Sequence, residues 1–357
     1  MNERVARALA GVCRSYVRGE VFSPGSYDLA AEDWRSLYEV CGRHCLTSVG
    51  YSVLSESLQS DAGLREVKLT WALACRSVAA RHHRRMKLIA RIGRALRASG
   101  IDAVVFKGIV LGECYRSGDH RECGDLDIYT GRDMERATEA IVAAGGIFEE
   151  RTIKNTHIRF EGFPVENHAY TTDARGRRSN RELELRLRGM LEDVASRREL
   201  PEVEMSAPPE MFTALHMMRH TLHHYIWEGI TVRNLLDWAL FLDANGSRID
   251  WPEFYRVCEK HRMRRFADAM NHISVNVFGA GICCDVIGFE PELGERILRD
   301  VMASCDAASA DRSGGRLATL RNLLRNGWKV RDICGRSPLS ELFYMTVGAL
   351  FQRRLRF

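Results

Sequence analysis

Long apolar runs are what this chain most plainly lacks. No window approaches the roughly 20 apolar residues that a membrane-spanning helix needs. The longest stretch, LFYMTVGALF at 342–351, runs straight into RRLRF and suits a C-terminal helix docked on a core. The first twenty residues, MNERVARALAGVCRSYVRGE, carry charge throughout and have no apolar centre of the kind a secretion signal requires. Ordered cysteine spacing is missing too. Eleven cysteines are scattered with no CxxC pair and no zinc-ribbon pattern, which fits a reduced compartment better than a disulfide framework. These absences lead to the expectation of a soluble, cytoplasmic protein with no membrane span. Nor does either sign of charge dominate. The formal net charge of +5 on 357 residues permits a polyanionic partner without requiring one, and weighs against a long nucleic-acid groove. Nucleotide and hydrolase signatures of the common kinds are absent: no GxxxxGK[ST], no GxGxxG after a strand, no GxSxG and no HExxH.

What is present divides into three regions. Residues 1–100 read as helical, most clearly from Val67 to Ser99, where Val67, Trp71, Ala74, Val78, His82, Met86, Ile89 and Leu96 fall near helical spacing. The nine Lys and Arg between Glu66 and Asp102, with no acid among them, read first as a solvated helix face, with phosphate or nucleic-acid contact as the alternative. At Ile101 the period changes. IDAVVF (101–106) and DLDIYT (125–130) read as short strands, 132–144 as an amphipathic helix ended by Gly145-Gly146, and 153–160 and 164–170 as two more strands. The basic loop DARGRRSN (173–180) marks a boundary. From Arg181 the pattern is again helical, over 181–197, 209–225, 229–244, 251–261 and 263–279. The small polar stretch SCDAASADRSGGR (304–316) reads as a loop. The expected fold is α+β: a small mixed β-sheet core at 101–180, flanked by N-terminal helices (1–100) and a C-terminal helical domain (181–357).

The central segment KGIVLGECYRSGDHRECGDLDIYT, Lys107 to Thr130, carries the chemistry. Asp125 and Asp127 are two apart on a strand, so both side chains share one face, and Leu126 and Ile128 fix which face that is. Alone, D-x-D is a common tripeptide of strand-edge acids, solvated or paired with Arg121. Here a Lys107-Gly108 turn lies upstream, and Glu166, in FPVENHAY, sits on a strand candidate downstream. Three carboxylates converging from two adjacent strands suit divalent cations, Mg²⁺ or Mn²⁺, which take hard oxygen ligands and leave room for phosphate oxygens. His168 shares the face of Glu166 and can orient a carboxylate, bind substrate or simply pack. Cys114 and Cys123 flank the loop with no histidine activator and read as small buried residues.

The succession Lys-Gly, aliphatic, Tyr-Arg, Asp-Leu-Asp, followed by a strand carrying Glu166 and His168, resembles the uncharacterised bacterial nucleotidyltransferase family 5 of the DNA polymerase β-like superfamily, over roughly residues 70–245. The resemblance implies a nucleotidyltransferase core. Gly108 would hold the phosphates, Lys107 and Arg121 would neutralise their charge, Asp125 and Asp127 would bind metal, and Glu166 would be the third acid. The helix ALHMMRHTLHHYIW puts His216, His220 and His223 or His224 on one face, open to a substrate-facing role, core packing or a structural zinc. Members of the family also tend to carry histidines here, followed by R-x-x-x-D, matched by Arg233 and Asp237. As an i, i+4 pair these read first as an intrahelical ion pair. The function expected is transfer of a nucleoside monophosphate from an NTP such as ATP to an acceptor: a small molecule, peptide or protein, with RNA less favoured. The alternatives are a kinase using the same acids and an inert nucleotide-binding protein.

Overall fold

The computed structural model describes residues 1–54, 62–172, 177–281, 284–304, 326–340 and 343–344. The expected C-terminal helix at 342–351, the loop at 304–316 and the start of the loop at 173–180 lie largely outside these residues. Four helices open the chain: α1 (Glu3–Arg18), α2 (Ala31–Arg43), α3 (Thr47–Leu54) and α4 (Arg65–Ala98). The Asn2 side chain accepts the Val5 amide to start α1, and Gly19 ends it at φ 75°, the left-handed turn that costs glycine nothing. The long α4 buries one stripe, including Val67, Trp71, Val78, Ile92 and Leu96, as its sequence period predicts.

The α+β fold is as expected, and the sheet is larger than expected. It contains β1 (Val104–Phe106), β2 (Leu126–Tyr129), β3 (Gly146–Arg151), β4 (Asn155–Phe160), β5 (Phe163–His168), β6 (Arg198–Leu200) and β7 (Met205–Ala207). Their order across the sheet is β3-β4-β5-β2-β1-β7-β6. β1 runs antiparallel to β2 and parallel to β7, and β2 runs parallel to β5, so the sheet is mixed. Two expectations are corrected. Gly146, taken as part of a helix terminator, opens the edge strand β3. The helix expected at 181–197 is α7 (Arg178–Glu192), and the chain then returns to the sheet as β6 and β7. Three-residue strands are too short to show alternation, so the helical reading of everything after 181 missed them.

Alternation along β1 and β2 assigns the two faces. Val105, Leu126 and Ile128 face a core built with Leu88, Ile92 and Leu96 of α4 and Ile141 of α6 (Met134–Ala143). Val104, Phe106 and Tyr129 face the other way, into a core shared by α8 (Glu210–Trp227), α9 (Val232–Asn245) and the N-terminal helices. α10 (Trp251–Lys260) and α11 (Arg264–His272) follow, and the segment expected as one helix to 279 continues as a π-helical turn at Ile273–Val277. α12 (Pro291–Ser304) packs beyond them. Among the described residues no helix is long and apolar enough to cross a membrane.

Candidate active site

Strand register decides where the acids go. Asp127 pairs with Phe106 of β1 and with Glu166 of β5, while Tyr129 pairs with His168. Asp127, Glu166 and His168 therefore stand on the sheet face that looks toward α8 and α9, and Asp125, two residues before Asp127, shares that face. α5 (Gly108–Gly112) leaves the end of β1 beside them. Asp125, Asp127 and Glu166, with Lys107 and Gly108, floor a cleft of about 370 Å³ whose far wall comprises Phe212, His216, Met217 and His220 of α8 and Arg233 and Asp237 of α9.

The tightest group is not the three acids alone. Among the described residues, Asp127, Glu166 and His168 offer ligand atoms all within 4.8 Å of one another, and Asp125 stands outside that cluster. His168, fully buried, places Nε2 2.7 Å from Asp127 Oδ1 and 3.3 Å from Glu166 Oε2, with Nδ1 3.2 Å from the Tyr170 carbonyl. Lys107 Nζ donates to Asp127 Oδ1 at 2.5 Å. Asn155 Nδ2 donates to Glu166 Oε2 at 2.7 Å, a partner with no sequence signal, because it comes from β4 across the sheet.

These contacts set the charges. Burial pushes Asp127 upward, yet the Lys107 ammonium and the His168 hydrogen bond outweigh it and hold the carboxyl well below the ordinary range. The His168 contact is the main reason Glu166 is lowered. Lys107 is opposed by burial, but the Asp127, Asp125 and Glu166 carboxylates raise it. Asp125 differs from the other acids. Among the described residues it has no side-chain hydrogen bond or ion pair, and burial followed by repulsion from Asp127 raises its pKa.

The Lys107-Gly108 turn is strained and crowded. Lys107 has φ 61° and ψ −110°, a region that costs a non-glycine residue about 1–3 kcal/mol, partly offset by the ion pair to Asp127. A Cβ on Gly108 would come within 2.4 Å of Cys123 Sγ, so glycine is required here by packing as well as by any approach of phosphate. Cys123 Sγ itself donates to the Asp125 carbonyl at 3.0 Å, and burial pushes its thiol up, away from nucleophilic use. Cys114 is half-buried, with its thiol pushed up to about 11 by burial.

A scan against protein-family models matches residues 30–279 to a family described as uncharacterised nucleotidyltransferase. The chain belongs to that family. The match runs from α2 to the π-helical turn after α11 and takes in the whole sheet and both walls of the cleft. No curated protein and no solved structure matches the chain.

Within this family member, two pairings open to the sequence are replaced. Asp237 does not pair with Arg233 along α9. It is 3% exposed and accepts from Arg121 Nε at 2.8 Å, from Arg121 Nη2 at 2.9 Å and from the Tyr115 hydroxyl at 2.8 Å. Asp237 is turned to Arg121 and Tyr115, whereas Arg233 reaches back over the loop and donates to the Glu122 carbonyl. Arg121 is therefore not the partner of Asp125 either. Its buried guanidinium is already neutralised, and its remaining donor, Nη1, holds the Gly108 carbonyl at 3.2 Å. Arg121, expected on phosphate, ties the Gly108 turn to α9 and also lines the cleft.

The histidines of α8 form a ladder rather than a metal site. His216 and His220 stack at 5.3 Å, and His220 meets His224 edge-on at 4.2 Å. His216 Nε2 lies 3.1 Å from the Thr171 carbonyl, and burial, then the nearby Lys107 charge, lowers its pKa to about 3. His220 is lowered for the same leading reasons. The zinc alternative finds no support here, because these rings form no close ligand group among the described residues. His216 and His220 present a neutral, flat wall to the cleft. Behind it Glu184, buried on α7, accepts four hydrogen bonds from the amides and hydroxyls of Thr171 and Thr172, fixing the segment that follows His168.

Proposed function

We propose that this protein is a metal-dependent nucleotidyltransferase that moves a nucleoside monophosphate from an NTP, ATP in the simplest case, to an acceptor hydroxyl or phosphate. The observation that carries this reading is the set of Asp125, Asp127 and Glu166 on one sheet face at the floor of the cleft. The residues fit a divalent cation, Mg²⁺ or Mn²⁺: the donors are hard carboxylate oxygens, and Asp125 is a part-buried carboxylate with no partner among the described residues, crowded by Asp127. Asp125, Asp127 and Glu166 would hold the ion, with His168 beside them. Bound there, the cation would supply charge neutralisation for the triphosphate and acidify the attacking hydroxyl.

The protein's own groups do the rest. The acceptor oxygen forms a bond to the α-phosphorus as the bond to the β-phosphate's bridging oxygen breaks, and pyrophosphate leaves. Asp125, raised by burial and by Asp127, is the ligand carboxylate that would also take the acceptor's proton. Lys107 keeps Asp127 ionised and sets a positive charge at the mouth of the turn, where phosphate charge gathers. His168 and Asn155 hold Asp127 and Glu166 in place. Arg121 anchors the Gly108 turn through Asp237. The flat wall of Phe212, His216 and His220 suits a planar base. The acceptor is read as a small molecule, peptide or protein, with RNA less favoured.

Calorimetric titration with ATP tests this reading. Binding should require Mg²⁺ or Mn²⁺ and disappear in Asp125→Ala/Asp127→Ala. ATP binding that ignores both metal and substitution would point instead to an inert nucleotide-binding protein.

A further inference from the structure

A second cavity, about 220 Å³, lies between α4 and the loop that leads into β2. Arg81, His82 and Arg85 of α4 line one side, and Glu122, Gly124 and Arg233 line the other. Arg121, Cys123, Gly124 and Arg233 also line the active-site cleft, so the two spaces meet at Gly124, one residue from Asp125. Gly124 is exposed, and a Cβ built there would meet nothing within 4 Å: the junction is open.

The charge in this cavity is only partly spent. Arg85 donates to the Cys123 carbonyl and Arg233 to the Glu122 carbonyl, contacts that use one of five donors on each guanidinium. The Arg233 Nε–H is buried and has no hydrogen-bond partner. Arg81 makes only a loose 3.9 Å approach to Glu122. Two acids also line the cavity and offset part of this charge: Glu122, which accepts the Thr47 amide at 3.3 Å, and Asp119, which accepts the Ser117 hydroxyl at 2.5 Å. Arg121 contributes no free charge, being neutralised by Asp237. Three guanidiniums with spare donors, converging beside a carboxylate site, are suited to forked recognition of a phosphate.

We infer that this cavity is an anion subsite. Arg81, Arg85 and Arg233 take a phosphate group, either the terminal phosphate of the nucleotide or a phosphate carried by the acceptor, while the reacting phosphate lies at Asp125 and Asp127. The placement of the reacting phosphate rests on the nucleotidyl-transfer reading; the anion site itself does not.

Calorimetry on the full chain with ATP, AMP and inorganic phosphate separates the possibilities, using Arg81→Gln, Arg233→Gln and Gly124→Leu. Arg81→Gln removes no contact to the backbone, so it tests charge without disturbing the loop. Gly124→Leu blocks the junction and removes no charge. If the site takes the nucleotide's terminal phosphate, ATP affinity falls about tenfold in each variant while AMP affinity holds. If it takes the acceptor's phosphate, ATP affinity holds, and inorganic phosphate added to the ATP-loaded protein binds the wild type about tenfold more tightly than Arg81→Gln or Arg233→Gln. The inference is overturned if all three variants, folded by circular dichroism, bind ATP and phosphate as the wild type does. The transfer reading fails separately: ATP binding indifferent to Mg²⁺ and to Asp125→Ala, with phosphate binding still dependent on Arg81 and Arg233, would leave the anion site standing alone.

Discussion

Replacing Asp237 with alanine strands a charge. Arg121 and Asp237 have side chains only 7% and 3% exposed and share two hydrogen bonds of 2.8 and 2.9 Å. Tyr115 donates to the same carboxylate. Without Asp237, the Arg121 guanidinium remains charged and buried, and the Tyr115 hydroxyl loses its acceptor. Removing one partner of such a pair costs about 3–5 kcal/mol. The Tyr115 loss falls within that figure, because it concerns the same carboxylate. Arg121→Met alone should cost a similar amount by leaving Asp237 uncompensated. The double variant Arg121→Met/Asp237→Ala removes both charges and should recover much of the loss, giving a coupling of at least about 2 kcal/mol in a double-mutant cycle. Urea unfolding followed by tryptophan fluorescence measures all four corners. A loss under about 1 kcal/mol in Asp237→Ala, or additive single substitutions, would refute the claim that this pair anchors the Gly108 turn to α9.

Three further outcomes follow from the same geometry. Gly108→Ala should cost about 1–3 kcal/mol, because its Cβ would meet Cys123 Sγ at 2.4 Å; Gly108→Ala/Cys123→Ala should regain most of that in the same unfolding assay, and no rescue would show that the contact is not the cause. His216 stays neutral in the folded protein until about pH 3, whereas the unfolded chain binds its proton near pH 6.5. Its contribution is therefore full above that pH and declines as pH falls from about 6.5 toward about 3, by up to about 1.4 kcal/mol per pH unit; a His216 ring signal that titrates between pH 5 and 8 by NMR would contradict this. Asp127 is held below its unfolded value by Lys107 and His168, so the stability it adds is present above the unfolded pKa and lost as pH falls through the folded one. Lys107→Met should move acid unfolding to higher pH, and an unchanged midpoint would show that the ion pair contributes nothing.

The sequence made the floor of the site readable because the signal there is local. Leu126 and Ile128 interleave Asp125 and Asp127, and Val165 precedes Glu166, so a period of two puts the acids on one face whatever the surrounding fold. Adjacency of the two strands then brings them together. What could not be read depends on contacts between distant segments. Arg121 and Asp237 lie 116 positions apart, and the nearer Arg233, a plausible helical partner, is held instead by the Glu122 carbonyl. Asn155 reaches Glu166 only because β4 pairs with β5 in one register. The strands β6 and β7 carry too few residues for alternation to show. The histidine spacing on α8 was visible, but its meaning was not: only the packed structure shows rings stacked on Phe212 and held neutral by burial.

The central claim is transfer of the α-phosphate by a carboxylate site. The direct measurement is incubation with α-³²P- or γ-³²P-labelled NTPs, Mg²⁺ and cell extract, with Asp125→Ala/Asp127→Ala as control. The account predicts a new species that keeps the α label, lacks the γ label and disappears in the control. Label carried over from the γ-phosphate alone would make the protein a kinase. No transfer of either label by folded protein in active extract would contradict catalysis.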